Sequence, residues 1–551
     1  MRFAQAKPAG KESRPATCFP ETGLRPALVS LIMLFMMAGS VTLYAQNSMP
    51  IMQTFIGQYG NTWLGYKLSA LDFNADGYDD LLVYSHKTGP NAWPAALLYF
   101  GSAVMDTVPD LVFQSEFLNQ MGDQIFMGVG DINGDGYEDI MLQEMYPTEV
   151  DSCMIHFCYG GPNPDLVPDH TIVVGYYSYQ PNVWPMYAIG DVNNDGCDDL
   201  GIRTFAGTYP ENFRWEVMLG GVWQRILVVG PGMSTQRVTS LSGVGDVNGD
   251  GIDDFVVGYG AVDPEGIRCY RYLYFGGSPL NLDNRVLLYS TLEGSQIFSG
   301  AFGVGDVNHD GYDDMVYCTG NSYMEGNKLR LGGSNIMETE ELTLHSIPNH
   351  NLISIDGTKP VYGDFNADGF ADIAGSDYED NLWSGSTSLW LGKAEPNGTN
   401  DLRLLPPATS PYHQFGWAIA AGDFDGDGFD DLAVSAPQAQ TGSPWYHGYV
   451  YVYSGNPGLQ DTSVATDDAL APQPLISICP NPTSGNFSIS TLDKTPFALD
   501  IYDLRGRKLF SAANLSGFDS AEHSLNLPSG IYLLRLQSGG KSVCKRLAVI
   551  K

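Results

Sequence analysis

Basic residues are scarce in this chain of 551 residues. Lys and Arg number 28 against 63 Asp and Glu, for a formal net charge of −35. That balance excludes a general nucleic-acid binder, which needs a basic footprint to neutralise phosphates. The sequence has no HExxH, no GxSxG elbow and no phosphate-binding loop. Gly-x-Gly pairs such as Gly128-Val129-Gly130 lack a third Gly and read as strand ends. No catalytic motif is therefore recognisable, although Asp is abundant enough to hide a carboxylate pair. The nine His show no metal spacing. Long apolar runs are missing apart from one, 27–45. It follows Arg2, Lys7, Lys11, Arg14 and Arg25 and ends in Ala45 before polar Gln46. This is the order of a removable export signal, expected over 1–45.

What is present points to a β protein. Hydrophobic residues make up 43%, too many for a disordered chain. Gly numbers 64 and Pro 33, which fits many turns, and Tyr numbers 31, which favours strands over helices.

The acids are concentrated. Seven nine-residue segments hold 28 of the 63 acids and no Lys or Arg. Their first Asp recurs at intervals of 59, 60, 55, 60, 58 and 59 residues, which indicates a repeat architecture. Oxygen-bearing side chains occupy positions 1, 3, 5 and 9. In the first three copies these are Asp72, Asn74, Asp76 and Asp80, then Asp131, Asn133, Asp135 and Asp139, then Asp191, Asn193, Asp195 and Asp199. The fourth and fifth have Asp246, Asn248, Asp250 and Asp254, then Asp306, Asn308, Asp310 and Asp314. The last two have Asp364, Asn366, Asp368 and Asp372, then Asp423, Asp425, Asp427 and Asp431. Position 6 is always Gly, which permits the tight turn that converges alternate side chains on one point. Position 7 varies (Tyr78, Tyr137, Cys197, Ile252, Tyr312, Phe370, Phe429), as expected if only its carbonyl is a ligand. Hard oxygens in a flexible loop suit Ca²⁺, with up to seven ions acting mainly as structural staples. The loop is not an EF-hand. Position 12 holds Val83, Leu142, Ile202, Val257, Tyr317, Gly375 or Val434, never Glu.

Each repeat of about 59 residues reads as four short strands, and seven such units suit a closed propeller over 46–457. The repeats resemble the FG-GAP repeats of the integrin alpha-chain propeller and its bacterial relatives. The seventh carries Phe415-Gly416, Gly422-Asp423 and Ser435-Ala436-Pro437. The resemblance implies a seven-bladed, calcium-binding, all-β propeller that binds a protein or a glycan. Polysaccharide-degrading activity or a passive structural role remains open on the same fold.

Residues 458–475 read as a linker. Segment 476–551 reads as a small Ig-like β-sandwich. It resembles the type A sorting domain of the type IX secretion system through Pro480-Asn481-Pro482, Gly485, Gly506, Gly530-Ile531-Tyr532 and the basic-apolar end 545–551. That implies engagement of the type IX machinery and a secreted or cell-surface location. Cys479 and Cys544 lie on the first and last strands of this module, and pairing would require those strands to be adjacent.

One binding clue lies on the face away from the loops. The connection after each second strand carries Trp93 in repeat 1, Tyr323 in repeat 5, Trp383 in repeat 6 and Trp445 in repeat 7. These repeats are consecutive around a closed ring, so their aromatics can cluster as a ligand-binding face. They can equally serve as packing between blades.

Overall fold

In the computed structural model the chain divides into two bodies, one reaching Thr462 and one from Ser463 to Lys551. The structure describes 48–460 apart from 59–61, 89–92, 116–125, 147–151, 176–185, 206–212, 229–236, 264–265, 293–299, 319–326, 346–358, 408–412 and 440–445. In the second body it describes 476–479, 487–491, 497–503, 507–515, 518–519, 525, 527–538 and 541–549. The expected export signal over 1–45 and most of the linker lie outside the described residues.

The first body is seven four-stranded antiparallel sheets. Blade 1 runs Leu68–Leu71, Asp80–Thr88, Trp93–Tyr99 and Leu111–Gln114 in simple meander order. Blades 2 to 6 repeat that order, beginning at Phe126–Gly128, Met186–Gly190, Arg237–Gly245, Ala301–Gly303 and Val361–Gly363. The seven-bladed propeller expected from the repeat interval is the observed fold.

The seventh unit departs from the four-strand reading of its sequence. Ile419–Gly422, Asp431–Ala436 and Tyr449–Tyr453 supply three strands, and the outermost is Ile51–Ile56 from the other end of the chain. Phe55 pairs with Val450 and Thr54 with Tyr451. This strand closes the ring, so blades 1 and 7 are held by backbone hydrogen bonds as well as by packing.

Period-two alternation explains why the second strands read as unbroken apolar runs. In Asp80–Thr88, Leu81 and Val83 enter a core shared with blade 7, beside Phe55, Ala433 and Val452. Leu82 and Tyr84 enter a second core shared with blade 2, beside Phe126, Ile140 and Leu142. A blade is buried on both faces, so neither set of alternate residues can be polar. A single helical turn, Asp380–Trp383, is the described exception to strand and loop.

The second body has a three-stranded sheet, Ile476–Cys479, Ser488–Thr491 and Phe518–Asp519. Its four-stranded sheet is ordered Lys508–Leu515, Phe497–Asp503, Gly530–Ser538, Lys541–Val549. Ile489, Leu499, Ile501, Leu534 and Leu547 form its core. The Tyr532 hydroxyl donates to the Pro528 carbonyl at 2.8 Å, tying the start of its strand to the preceding turn. The strands bearing Cys479 and Cys544 belong to different sheets and are not hydrogen-bonded neighbours.

Candidate functional site

All seven acidic segments occupy the same place, the turn from first to second strand, and therefore the same face of the ring. Their backbone explains their glycines. Position 6 has φ between +85° and +90° in every copy, from Gly251 at +85° to Gly136 at +90°. A Cβ there would meet nothing within 4 Å, so conformation and not space demands Gly. Position 4 lies at smaller positive φ, for example Ala75 at 52°, Asn194 at 57° and His309 at 56°. That is the left-handed region which other residues tolerate at a cost. Hence position 6 is invariant and position 4 is not.

The carboxylates divide the work. Position 1 folds the loop on itself: Asp131 accepts the amides of Gly134 at 2.7 Å, Asp135 at 3.0 Å and Gly136 at 2.7 Å. Position 5 accepts the position 7 amide, as Asp135 does from Tyr137 at 3.1 Å. Position 9 is 0% exposed in all seven copies. Asp80 accepts the Phe73 amide at 3.1 Å and the Gly101 amide at 2.9 Å, bracing the loop against the end of the third strand.

Burial pushes the Asp80, Asp139, Asp199 and Asp314 carboxyls up to about 7, and those of Asp254, Asp372 and Asp431 up to about 8. The amides hold them down in part, while the carboxylates at positions 1 and 5 add to the rise. In loop 7 the oxygens of Asp423, Asp425 and Asp431 lie within 4.8 Å of one another. No loop has a Lys or Arg to balance these charges. Each carboxylate oxygen that accepts an amide retains a second lone pair. The donor set thus fits a hard divalent cation.

Position 8 has a role that the ligand spacing did not reveal. Its carboxylate crosses to the preceding blade and accepts the position 1 amide there. Asp79 takes that of Asp423 at 2.7 Å, Asp198 that of Asp131 at 2.7 Å, and Asp253 that of Asp191 at 2.9 Å. Asp313 and Asp430 do the same to Asp246 at 2.9 Å and Asp364 at 2.7 Å. The Gly just before the loop of the facing blade makes room in these pairs. A Cβ on Gly130 would stand 1.9 Å from Asp198 Oδ2, and one on Gly190 2.0 Å from Asp253 Oδ2.

Blade 1 has Leu71 in place of this Gly, and facing it blade 2 has the longer Glu138, which accepts the Asp72 amide at 2.9 Å. In blade 6 position 8 is Ala371, and the Tyr362 ring lies against Gly305 where the other blades place a carboxylate. The sequence signal was available, an acid at position 8 in six of seven copies, but its partner lies in another blade. Position 7 also reaches across: the Tyr312 ring would touch a Cβ on Gly249 at 2.6 Å, so more than its carbonyl is used.

On the opposite face, Trp93 is 38% exposed and Trp383 41% exposed. Tyr323 and Trp445 lie outside the described residues. Trp383 stands at the end of a longer run of rings. Its ring is 6.1 Å from that of Tyr378, and Tyr378 is 4.7 Å from Trp417. Trp417 is 5.2 Å from Tyr66, Tyr66 is 6.1 Å from Trp63, and Trp63 is 5.9 Å from Tyr446. The run joins blades 6, 7 and 1. Trp417 and Tyr66 hold equivalent places six residues before the first Asp of their loops. Trp63 and Trp383 both have positive φ, at 47° and 65°.

Residues 415–453 match the FG-GAP repeat family and residues 477–551 the secretion system C-terminal sorting domain family. Integrin alpha-PS5 of Drosophila melanogaster is 27% identical over 181 residues, 31% of this chain and 17% of its own length. Integrin alpha-5 of Xenopus laevis is 25% identical over 179 residues, 30% of this chain and 17% of its own. Phosphatidylinositol-glycan-specific phospholipase D of Rattus norvegicus is 27% identical over 183 residues, 30% and 21% respectively. The chain thus spans about a fifth or less of these relatives. A solved fungal alcohol oxidase of the AA5 family, in complex with copper, aligns over 78% of this chain and 97% of its own. At 11% identity and a TM-score of 0.27 that likeness carries neither its fold nor its chemistry. The chain therefore carries an FG-GAP repeat in a β-propeller and a C-terminal sorting domain, which implies secretion or display on the outer surface. Among the described residues no helix is long and apolar enough to cross a membrane.

Proposed function

We propose that the protein is an exported, calcium-stapled propeller that binds a glycan or protein ligand on the face opposite its acidic loops. The aromatic run from Trp383 to Tyr446 carries the binding part of this reading. Aromatic rings on a rigid face offer stacking surface at little entropic cost.

Asp and Asn at positions 1, 3 and 5, the position 7 carbonyl and Asp at position 9 would hold Ca²⁺ in each loop. The ion would supply the positive charge that the buried position 9 carboxylates lack. The sorting domain would hand the chain to type IX secretion machinery, and deleting 476–551 should leave it in the periplasm.

A glycan array with the calcium-loaded chain, run beside Trp383→Ala and Tyr66→Ala, tests the ligand face. Specific binding lost in either variant supports the reading. A blank array with folded protein moves the reading to protein adhesion. Release of reducing ends or unsaturated sugars from a bound polysaccharide would replace it with a degrading enzyme.

A further inference from the structure

The inner strands enclose a central channel with a cavity of about 490 Å³. That is within the range of small-ligand sites, roughly 300–1,000 Å³. Its two ends differ in charge. At the loop end it is lined by Asp79, Glu138 and Asp430, with Tyr362 beside them. At the aromatic end it is lined by Lys67 and Lys359. Both lysines stand five residues before the first Asp of their loops, in blades 1 and 6. Ala418 takes the same place in blade 7 between them.

Lys359 reaches across the ring. Its Nζ lies 4.1 Å from the centre of the Tyr187 ring in blade 3 and 5.9 Å from that of Phe302 in blade 5. Among the described residues no carboxylate lies within ion-pair distance of it. Burial, with Lys67 adding its charge, pushes its ammonium down to about 7. In a chain with 63 acids, two cations converging on one cavity without a carboxylate at Lys359 are not explained by folding. The partly buried Lys359 ammonium has the Tyr187 and Phe302 rings beside it, but the second cation nearby repels it and no carboxylate neutralises it. An anion between the two lysines removes that cost.

We infer that the aromatic end of the channel binds the anionic substituent of an acidic sugar, with Lys359 and Lys67 pairing its charge. This inference rests on the proposed ligand face and names its ligand class. The substituent is a carboxylate or a sulfate. Two observations favour a sugar over an acidic peptide. Tyr66 and Trp417 immediately precede the lining residues Lys67 and Ala418, and their rings, 5.2 Å apart, belong to the aromatic run on the same face. The cavity also has room for a ring and not only a side chain. The carboxylates at the far end repel an anion and favour its place at the lysine end.

The test is calorimetric titration of the full chain, calcium-loaded, at low salt. The probes are a galacturonic acid tetramer, its methyl ester, a sulfated galactan oligosaccharide, the same oligosaccharide desulfated, and poly-glutamate. The proteins are wild type, Lys359→Met and Lys67→Gln, each with a melting curve to show folding. The expected result is binding of one of the two acidic probes, loss on esterification or desulfation, and at least tenfold weakening in Lys359→Met. Lys67→Gln provides a second reading if Lys359→Met does not fold. The tetramer and the sulfated probe distinguish carboxylate from sulfate. Equal binding by wild type and both variants overturns the inference, as does poly-glutamate binding as tightly as either acidic sugar. Wild type that binds neutral glycans alone overturns it and leaves the ligand face standing. Folded wild type that binds no glycan overturns it and leaves the ligand face to a protein partner.

Discussion

Removing one position 8 carboxylate tests how the blades are held together. In Asp198→Ala the Asp131 amide loses its acceptor, a bond of 2.7 Å between blades 3 and 2. A partly buried amide left unsatisfied costs about 1–3 kcal/mol. For a ring of some 400 residues that is a fall in Tm of about 1–4 °C. Asp198→Asn keeps a carbonyl oxygen in the same place and sheds the charge that burial and Asp253 make uncomfortable, since the Asp198 carboxyl is pushed up to about 6. It should melt at or above the wild-type temperature at pH 8. Glu138 supplies an internal control. It must reach past Leu71, so Glu138→Asp should behave like a deletion while Glu138→Gln is tolerated. Scanning calorimetry of the five proteins in EGTA reads these differences without metal. If Asp198→Asn falls as far as Asp198→Ala, the charge and not the acceptor matters, and the clamp reasoning is wrong. If Asp198→Ala does not move, the bond contributes nothing.

Other outcomes follow from the same geometry. Phe55 is buried in the closing strand, its ring 4.5 Å from that of Tyr99. Phe55→Ala should cost about 3–5 kcal/mol and make the joint between blades 7 and 1 the first site of limited proteolysis. Gly251→Ala forces a Cβ into φ +85° and should lower Tm, whereas Ala75→Gly, at φ 52°, should raise it by relieving about 1 kcal/mol. The position 9 carboxyls are raised to about 7–8 in the folded chain. Their protonated form is therefore favoured by folding, and that contribution is complete below about pH 4 and lost as pH rises through 7–8. Metal-free protein should melt at a higher temperature at pH 5.5 than at pH 8.5, and Ca²⁺ should reduce or reverse the difference.

Much of this fold was legible because it repeats. The interval between acidic segments counted the blades, and runs such as Leu81-Leu82-Val83 marked the strands that follow each loop. The closing strand was not legible. Ile51–Ile56 carries no motif, and its partner lies almost 400 residues away. Position 8 was visible as an acid but not as a clamp, because only the ring shows which amide it meets. The compensation of Leu71 by Glu138 hides in the same way.

The aromatic face was half legible. Counting forward from the first Asp finds Trp93 and Trp383, but the face is also built from the connection that precedes each inner strand. Tyr66 and Trp417 lie in those connections, and the charge of the channel is not visible along the sequence because Lys67 and Lys359 stand some 290 residues apart.

Calcium in the acidic loops is central to the proposed function, and a count of bound ions tests it most directly. The EGTA-stripped chain would be dialysed to equilibrium against ⁴⁵Ca²⁺ and then melted with and without the ion. The loops predict up to seven bound ions per chain and a Tm well above that of the stripped protein. No bound calcium at millimolar concentration, with a melt that EGTA does not change, would contradict it.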